Sequence, residues 1–338
     1  MTILTLPLIP LSAMGQQDPQ FTMYMFNSAV VNPAYVGAME ATNLTLLGRA
    51  QWVGIPGGPQ TSTASLNGFL RNLNSGLGVN IVAEELGPLR TMGLNVAYSY
   101  HISLNSSQTT KLNIGVNGGL FQKGLFVPED GWLYNTDFGK DPLVFDGDAT
   151  AFVPDLGSGV FLHVKMPNKT TTAFPLDRFY IGAHVAHILE PSMENIIPQG
   201  GRGIGIDTKL HRGITATAGY TLDFGPNIFL QPSALLMTDL ASSQLSLTAN
   251  LFISPMVFGL NYRGGLGLLA NTDSFDGIVG FNANTNLFIG YAYDYTLSQL
   301  NQFTSGSHEL IISYTFPTVT RPDIPILDPG RNSGHGRL

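Results

Sequence analysis

Apolar residues recur at every second position over most of this chain. The pattern is clearest over 90–104. There Leu94, Val96, Tyr98, Tyr100, Ile102 and Leu104 share one parity, and Gly93, Asn95, Ala97, Ser99, His101 and Ser103 the other. Successive side chains of a strand point to opposite faces, so such a run has one apolar face and one small or polar face. The stretch 285–316 holds two more such runs. Leu287, Ile289, Tyr291, Tyr293 and Tyr295 alternate with Phe288, Gly290, Ala292 and Asp294. Leu310, Ile312, Tyr314 and Phe316 then alternate with Glu309, Ile311, Ser313 and Thr315. Alternation of this kind predicts fourteen strands, at 44–54, 61–71, 75–85, 90–104, 109–123, 155–165, 176–188, 207–223, 226–237, 242–254, 256–264, 274–283, 285–296 and 306–316.

Strands of about 9–11 residues with aromatics on the apolar face are what an outer-membrane barrel needs. The expected fold is therefore all-β, a transmembrane outer-membrane β-barrel of about fourteen antiparallel strands spanning 44–316. The first and last strands must pair, because a spanning sheet cannot keep a free edge in lipid. On this reading Leu94, Val96, Tyr98, Ile289, Tyr291, Ile312 and Tyr314 face lipid. The opposite faces carry Gly, Ser, Asn and Ala, as a wet or plugged lumen requires. Connection lengths roughly sort by parity: NLN, NSSQ, FG, Pro255 and Asn284 are short, and 124–154 and 189–206 are the longest. MPNKTTTAFP is a mid-length exception.

The flanks do not alternate. Residues 1–15, MTILTLPLIPLSAMG, read as a signal peptide with small residues at Ala13 and Gly15, although no positive n-region precedes the apolar run. Residues 16–43 hold Asn27, Asn32, Pro33 and Gly37, which favour turns over ladder pairing. This segment is expected in the periplasm beneath the barrel or inside it as a plug. Residues 317–338 are rich in Pro, Gly and Asp and read as an extended periplasmic tail.

Composition narrows the function. Charged residues make up only 12% of the 338, which suits a wall facing lipid. A net charge of −7 and the lack of a Lys/Arg cluster argue against a nucleic-acid partner. With no Cys, disulfides and thiolate metal sites are excluded. His184 and His187 are three apart, which on a strand puts them on opposite faces and not on one metal. The DGD at 146–148 lacks an EF-hand loop, and no G-x-S-x-G elbow, P-loop or dinucleotide fingerprint is present. Asp294 and Glu309 fall on inner faces, where lumen polarity explains them without catalysis. No catalytic residue, cofactor or metal is expected. Aromatic residues stand out instead. Trp52 reads as an interfacial anchor. Phe126, Trp132, Tyr134 and Phe138 cluster in one long connection, and Tyr35 sits in the lead-in. Such area does not stay bare in water, so these residues either fill the lumen or cover a partner.

Specific strings then matter. QDPQF (17–21), YMFN (24–27), NPAYVG (32–37), RAQWVGIPGGPQT (49–61), GLGVNI (76–81), ELGP (85–88) and AYSYHI (97–102) occur in order. They are followed by PDLGSGVF (154–161), FYIGAHVAHIL (179–189), TATAGY (215–220), QPSALL (231–236), YAYDYTLSQL (291–300) and GSHELIISYTF (306–316). Together, over about 300 residues, these resemble the PorP/SprF family, membrane proteins of the type IX secretion system in the Gram-negative Bacteroidota. The resemblance implies an outer-membrane barrel that works with periplasmic type IX components. It also implies a role in secretion or surface attachment of cargo, including gliding-motility adhesins with a type B C-terminal domain. It supplies no cofactor and no catalytic residues. The expected role is non-enzymatic docking, anchoring or export of a cargo protein. The alternative is a small-molecule porin or channel, against which stand the few charges expected inside and the candidate plug.

Overall fold

The computed structural model describes residues 18–87, 89–125, 149–166, 176–192, 209–225, 227–239, 242–265 and 272–317. The signal-peptide and tail assignments fall outside them, as do Phe126, Trp132, Tyr134 and Phe138. The described strands are β1 (Asn43–Ala50), β2 (Gln60–Leu70), β3 (Ser75–Leu86), β4 (Leu89–Ser103), β5 (Thr110–Leu125), β6 (Ala149–Lys165) and β7 (Leu176–Ala186). They continue with β8 (Gly213–Gly225), β9 (Ile228–Thr238), β10 (Ser243–Ile253), β11 (Met256–Gly265), β12 (Thr272–Asn282), β13 (Leu287–Thr296) and β14 (Ser307–Thr315). Each pairs with its sequence neighbour, and β14 returns to β1, so the sheet closes into a barrel. The closing ladder is antiparallel and runs from Asn43 opposite Thr315 to Ala50 opposite His308.

Every predicted strand is present, with shifted ends where local chemistry intervenes. β1 stops at Ala50 instead of 54 because Trp52 (φ 52°) and Gly54 (φ 102°) take left-handed conformations that turn the chain. β8 starts at Gly213 instead of 207; Lys209 makes only an isolated bridge to Ser192. The β8–β9 ladder skips from Gly219–Ser233 to Leu222–Leu230 beside Pro232, which has no N–H to donate.

The wall is inverted relative to a soluble domain. Leu94, Val96, Tyr98, Ile289, Tyr291 and Ile312 are exposed on the outside, and Tyr314 is half-buried there. Their neighbours of opposite parity, such as Asn113, Asn261, Asp294 and Glu309, are buried inside. β1 begins and β14 finishes at one end of the barrel, called here the terminal end. The 51–59 and 297–306 connections lie at the other, the loop end.

The lumen is not empty. Residues 18–42 pass through it as three short turns, two 3₁₀ (Tyr24–Phe26 and Pro33–Tyr35) flanking α1 (Ser28–Val31). Met23, Met25, Phe26, Tyr35 and Ala38 pack against inward Phe161, Phe252, Ile278, Phe288 and Ile311 to make the largest apolar core. Burial of each large side chain here contributes roughly 1.5–3 kcal/mol.

Candidate functional site

The site is the filled lumen. Beyond their own turn bonds, irregular segments must find partners for their backbone groups, and in this lead-in the barrel wall supplies many of them. Asn32 holds the middle. Its Oδ1 accepts from Ala34 N–H (2.9 Å) and its Nδ2 donates to the Val160 (3.1 Å) and Ala183 (3.3 Å) carbonyls. Ser99 Oγ donates to the Ala34 carbonyl and Asn80 Nδ2 to that of Ala29. His101 Nε2 meets the Val36 carbonyl at 3.0 Å, and Tyr24 Oη meets Ser233 Oγ at 2.8 Å. Glu40 pairs with Lys111 near the terminal end.

Two inward glycines set how closely the segment approaches. A Cβ on Gly76 would strike the Val36 carbonyl, and one on Gly115 would strike the Pro33–Ala34 backbone. Gly115→Val is therefore expected to displace the lead-in. Overpacking of this kind costs about 1–3 kcal/mol. Faster proteolysis or amide exchange within residues 28–37 would report it, and unchanged protection would refute the contact.

A charge cluster clamps the segment closer to the loop end. Arg49 Nη2 lies 2.6 Å from Asp294 Oδ2, and its Nη1 lies 3.0 Å from Glu309 Oε2. Arg263 binds Asp294 (2.8 Å) and Asp273 (2.7 Å). Glu309 also accepts the backbone N–H groups of Thr22 (2.9 Å) and Met23 (2.7 Å), while Thr22 Oγ1 lies 2.9 Å from Asp294. Hydrogen bonds with an ionised partner are about twice as strong as neutral ones. The lead-in thus becomes part of the ionic network. The interior is more charged than expected, because opposite charges from β1, β11, β12, β13 and β14 neutralise one another across it.

The first described residue, Asp18, is fastened by His187 just beyond β7. His187 Nε2 meets Asp18 Oδ1 and its Nδ1 meets Asp155 Oδ1, both at 2.9 Å. Burial pulls the His187 pKa down, but the hydrogen bonds to Asp155 and Asp18 outweigh it and lift the value to about 10. Burial alone would raise the Asp18 pKa; the bond to His187 takes it below its ordinary 3.8. A raised histidine pKa stabilises the fold fully below its unfolded value of about 6.5, and the effect is lost as pH rises through the folded value. A lowered carboxylate pKa stabilises above 3.8 and is lost as pH falls below it. The clasp is therefore intact near neutrality and opens above pH about 10. Amide exchange at residues 18–22 should accelerate there, and His187→Gln should abolish that step.

The expectation that His184 and His187 point to opposite faces is corrected here. β7 ends at Ala186, and His187 adopts φ 54°, which returns its ring to the side of His184; both are buried. Among the described residues no group of three or more His, Asp or Glu is placed to hold a metal ion. Tyr35 lies inside, edge-on to Phe161 with ring centroids 5.1 Å apart. Trp52 is half-buried in the β1–β2 turn, its backbone N–H donating to Ser307 Oγ at 3.1 Å. The arrangement unites Tyr35 with the lumen but leaves Trp52 at the loop end. Arg49 and Arg263 were not among the sequence candidates, although each shares parity with polar inner residues, Thr45 and Asn261.

The profile of a family described as "Type IX secretion system membrane protein PorP/SprF" matches residues 13–314. No functionally curated protein is significantly similar to the chain. Solved structures with similar folds include a TodX deltaS2S3 mutant monoaromatic hydrocarbon channel (10% identity, 86% of this chain and 94% of that one, TM-score 0.45). Others are the Ralstonia pickettii toluene transporter TbuX (12%, 85% and 92%, TM-score 0.46) and a Pseudomonas aeruginosa FadL homologue (12%, 85% and 92%, TM-score 0.40).

Proposed function

The chain belongs to the PorP/SprF family of type IX secretion system membrane proteins, and from that premise and its self-filled barrel we propose a non-enzymatic platform that docks, anchors or helps export a cargo protein at the cell surface. As a family membrane protein built as a closed barrel with an apolar outer wall, it resides in the outer membrane. The observation that carries the platform reading is the lead-in, bonded to strands all round the wall. A porin needs an open, charged constriction, whereas here the inner charges are spent on one another and on Thr22 and Met23.

In this reading Leu94, Val96, Tyr98, Ile289, Tyr291, Ile312 and Tyr314 contact lipid. The long connections between β5 and β6, β7 and β8, and β11 and β12, with Phe126, Trp132, Tyr134 and Phe138 in the first, grip a secreted protein such as a gliding adhesin with a type B C-terminal domain. Periplasmic type IX components meet the terminal end. Deleting the gene should abolish surface display of at least one cargo protein while its synthesis continues. Unchanged display of every type IX cargo would refute the proposal.

A further inference from the structure

We infer that the lead-in crosses the outer membrane inside the barrel in a single pass with its amino-terminal end outward, so that Asp18–Gln20 belong to the cell-surface face and Met39–Glu40 to the periplasmic face. Which face is outside rests on the orientation in the proposed function. That the two ends lie at opposite mouths rests on the contacts alone.

Those contacts run from one rim to the other in chain order. Asp18 meets His187, the first residue past the loop-end finish of β7. Its Oδ2 also lies where a side chain would start on Gly213, the first residue of β8. Thr22 and Met23 bond Glu309, close to the loop-end start of β14. Tyr24 meets Ser233 in the middle of β9. Val36 meets His101 near the terminal-end finish of β4 and lies over Gly76 near the terminal-end start of β3. Glu40 reaches Lys111 at the terminal-end start of β5, and β1 begins at Asn43. A segment that entered and left by the same mouth would double back, and this one does not.

Both ends are fixed. The peptide link into β1 holds the lower end at the terminal mouth. At the upper end Glu309, backed by Arg49, accepts two backbone N–H groups, and His187 joins Asp18 to Asp155. Exposure follows the same course. Asp18, Pro19 and Gln20 are half-buried, Phe21–Asn27 and Asn32–Ala38 are buried apart from the helical turn between them, and Met39 and Glu40 are half-buried again. Longer connections lie on the outer side of bacterial barrels, which makes the loop end the cell-surface end. A protein docked there meets the amino-terminal end of the lead-in, whereas a periplasmic component meets its last residues.

The chain contains no cysteine, so single-cysteine variants of the full chain can be labelled on intact cells with a membrane-impermeant maleimide. Pro56→Cys in the β1–β2 turn marks the loop end and Ser106→Cys in the β4–β5 turn the terminal end; both positions are exposed. Pro19→Cys should label on intact cells as Pro56→Cys does, at least tenfold more than Ser106→Cys, which should label only after lysis. An epitope inserted between Gln17 and Asp18 should be bound by antibody on intact cells, and it decides the matter if Pro19→Cys is unreactive before and after lysis. Pro19→Cys labelling in step with Ser106→Cys, or an epitope not bound on intact cells, would overturn the crossing. Labelling of Ser106→Cys but not Pro56→Cys on intact cells would instead overturn the outward placement, and with it the orientation in the proposed function.

Discussion

Replacing Arg49 with leucine should destabilise the barrel by about 3–5 kcal/mol, the usual cost of removing one partner from a buried ionic pair. Its guanidinium bridges Asp294 and Glu309, and all three side chains are essentially inaccessible to solvent. After the change Asp294 keeps Arg263, but Glu309 keeps only the two backbone N–H groups of the lead-in. An under-compensated carboxylate in the lumen draws in water, and the Thr22–Met23 turn loosens with it. The urea midpoint of the heat-modifiable band reads the first effect, and proteolysis near residue 22 reads the second. Adding Glu309→Gln to Arg49→Leu should recover part of the loss, because the neutral amide still accepts an N–H. If the single variant unfolds at the wild-type urea concentration, the cluster does not hold the segment.

The second large effect is expected on the outer wall. Ile312 is exposed, midway along β14, and pairs with Leu46 of β1 on one side and Ile289 of β13 on the other. Arginine at the midplane of an outer-membrane barrel costs about 2–4 kcal/mol, falling to about 0–1 near the interfaces. Ile312→Arg should therefore impair assembly at the seam where the barrel closes. Tyr314→Arg should do less. Tyr314 lies next to the last residue of β14 and packs edge-on against Phe316 (5.0 Å, 88°) at the rim. Folding efficiency into lipid vesicles separates the two; equal yields for Ile312→Arg and wild type would contradict the facing.

The barrel itself was legible because period-two alternation is a local signal and each strand carries its own copy. Strand ends were less so. Trp52 looks like a strand aromatic in sequence, yet its left-handed backbone ends β1. Arg49 was hidden by Leu46 and Leu47, which put apolar residues on both parities beside it. The filling of the lumen was open between two readings because its bonds join distant residues: Thr22 and Glu309 are 287 positions apart. Nothing in the turn-rich string 18–42 reveals a partner so remote. The close approaches at Gly76 and Gly115 were equally silent, since glycine on an inner face also fits an open lumen.

The most direct test of a self-plugged platform is conductance in planar lipid bilayers. The full-length protein should give no large steady current, and a variant lacking residues 19–40 should open a stable channel. Large steady currents through the intact protein, equal to those of the deletion, would contradict it.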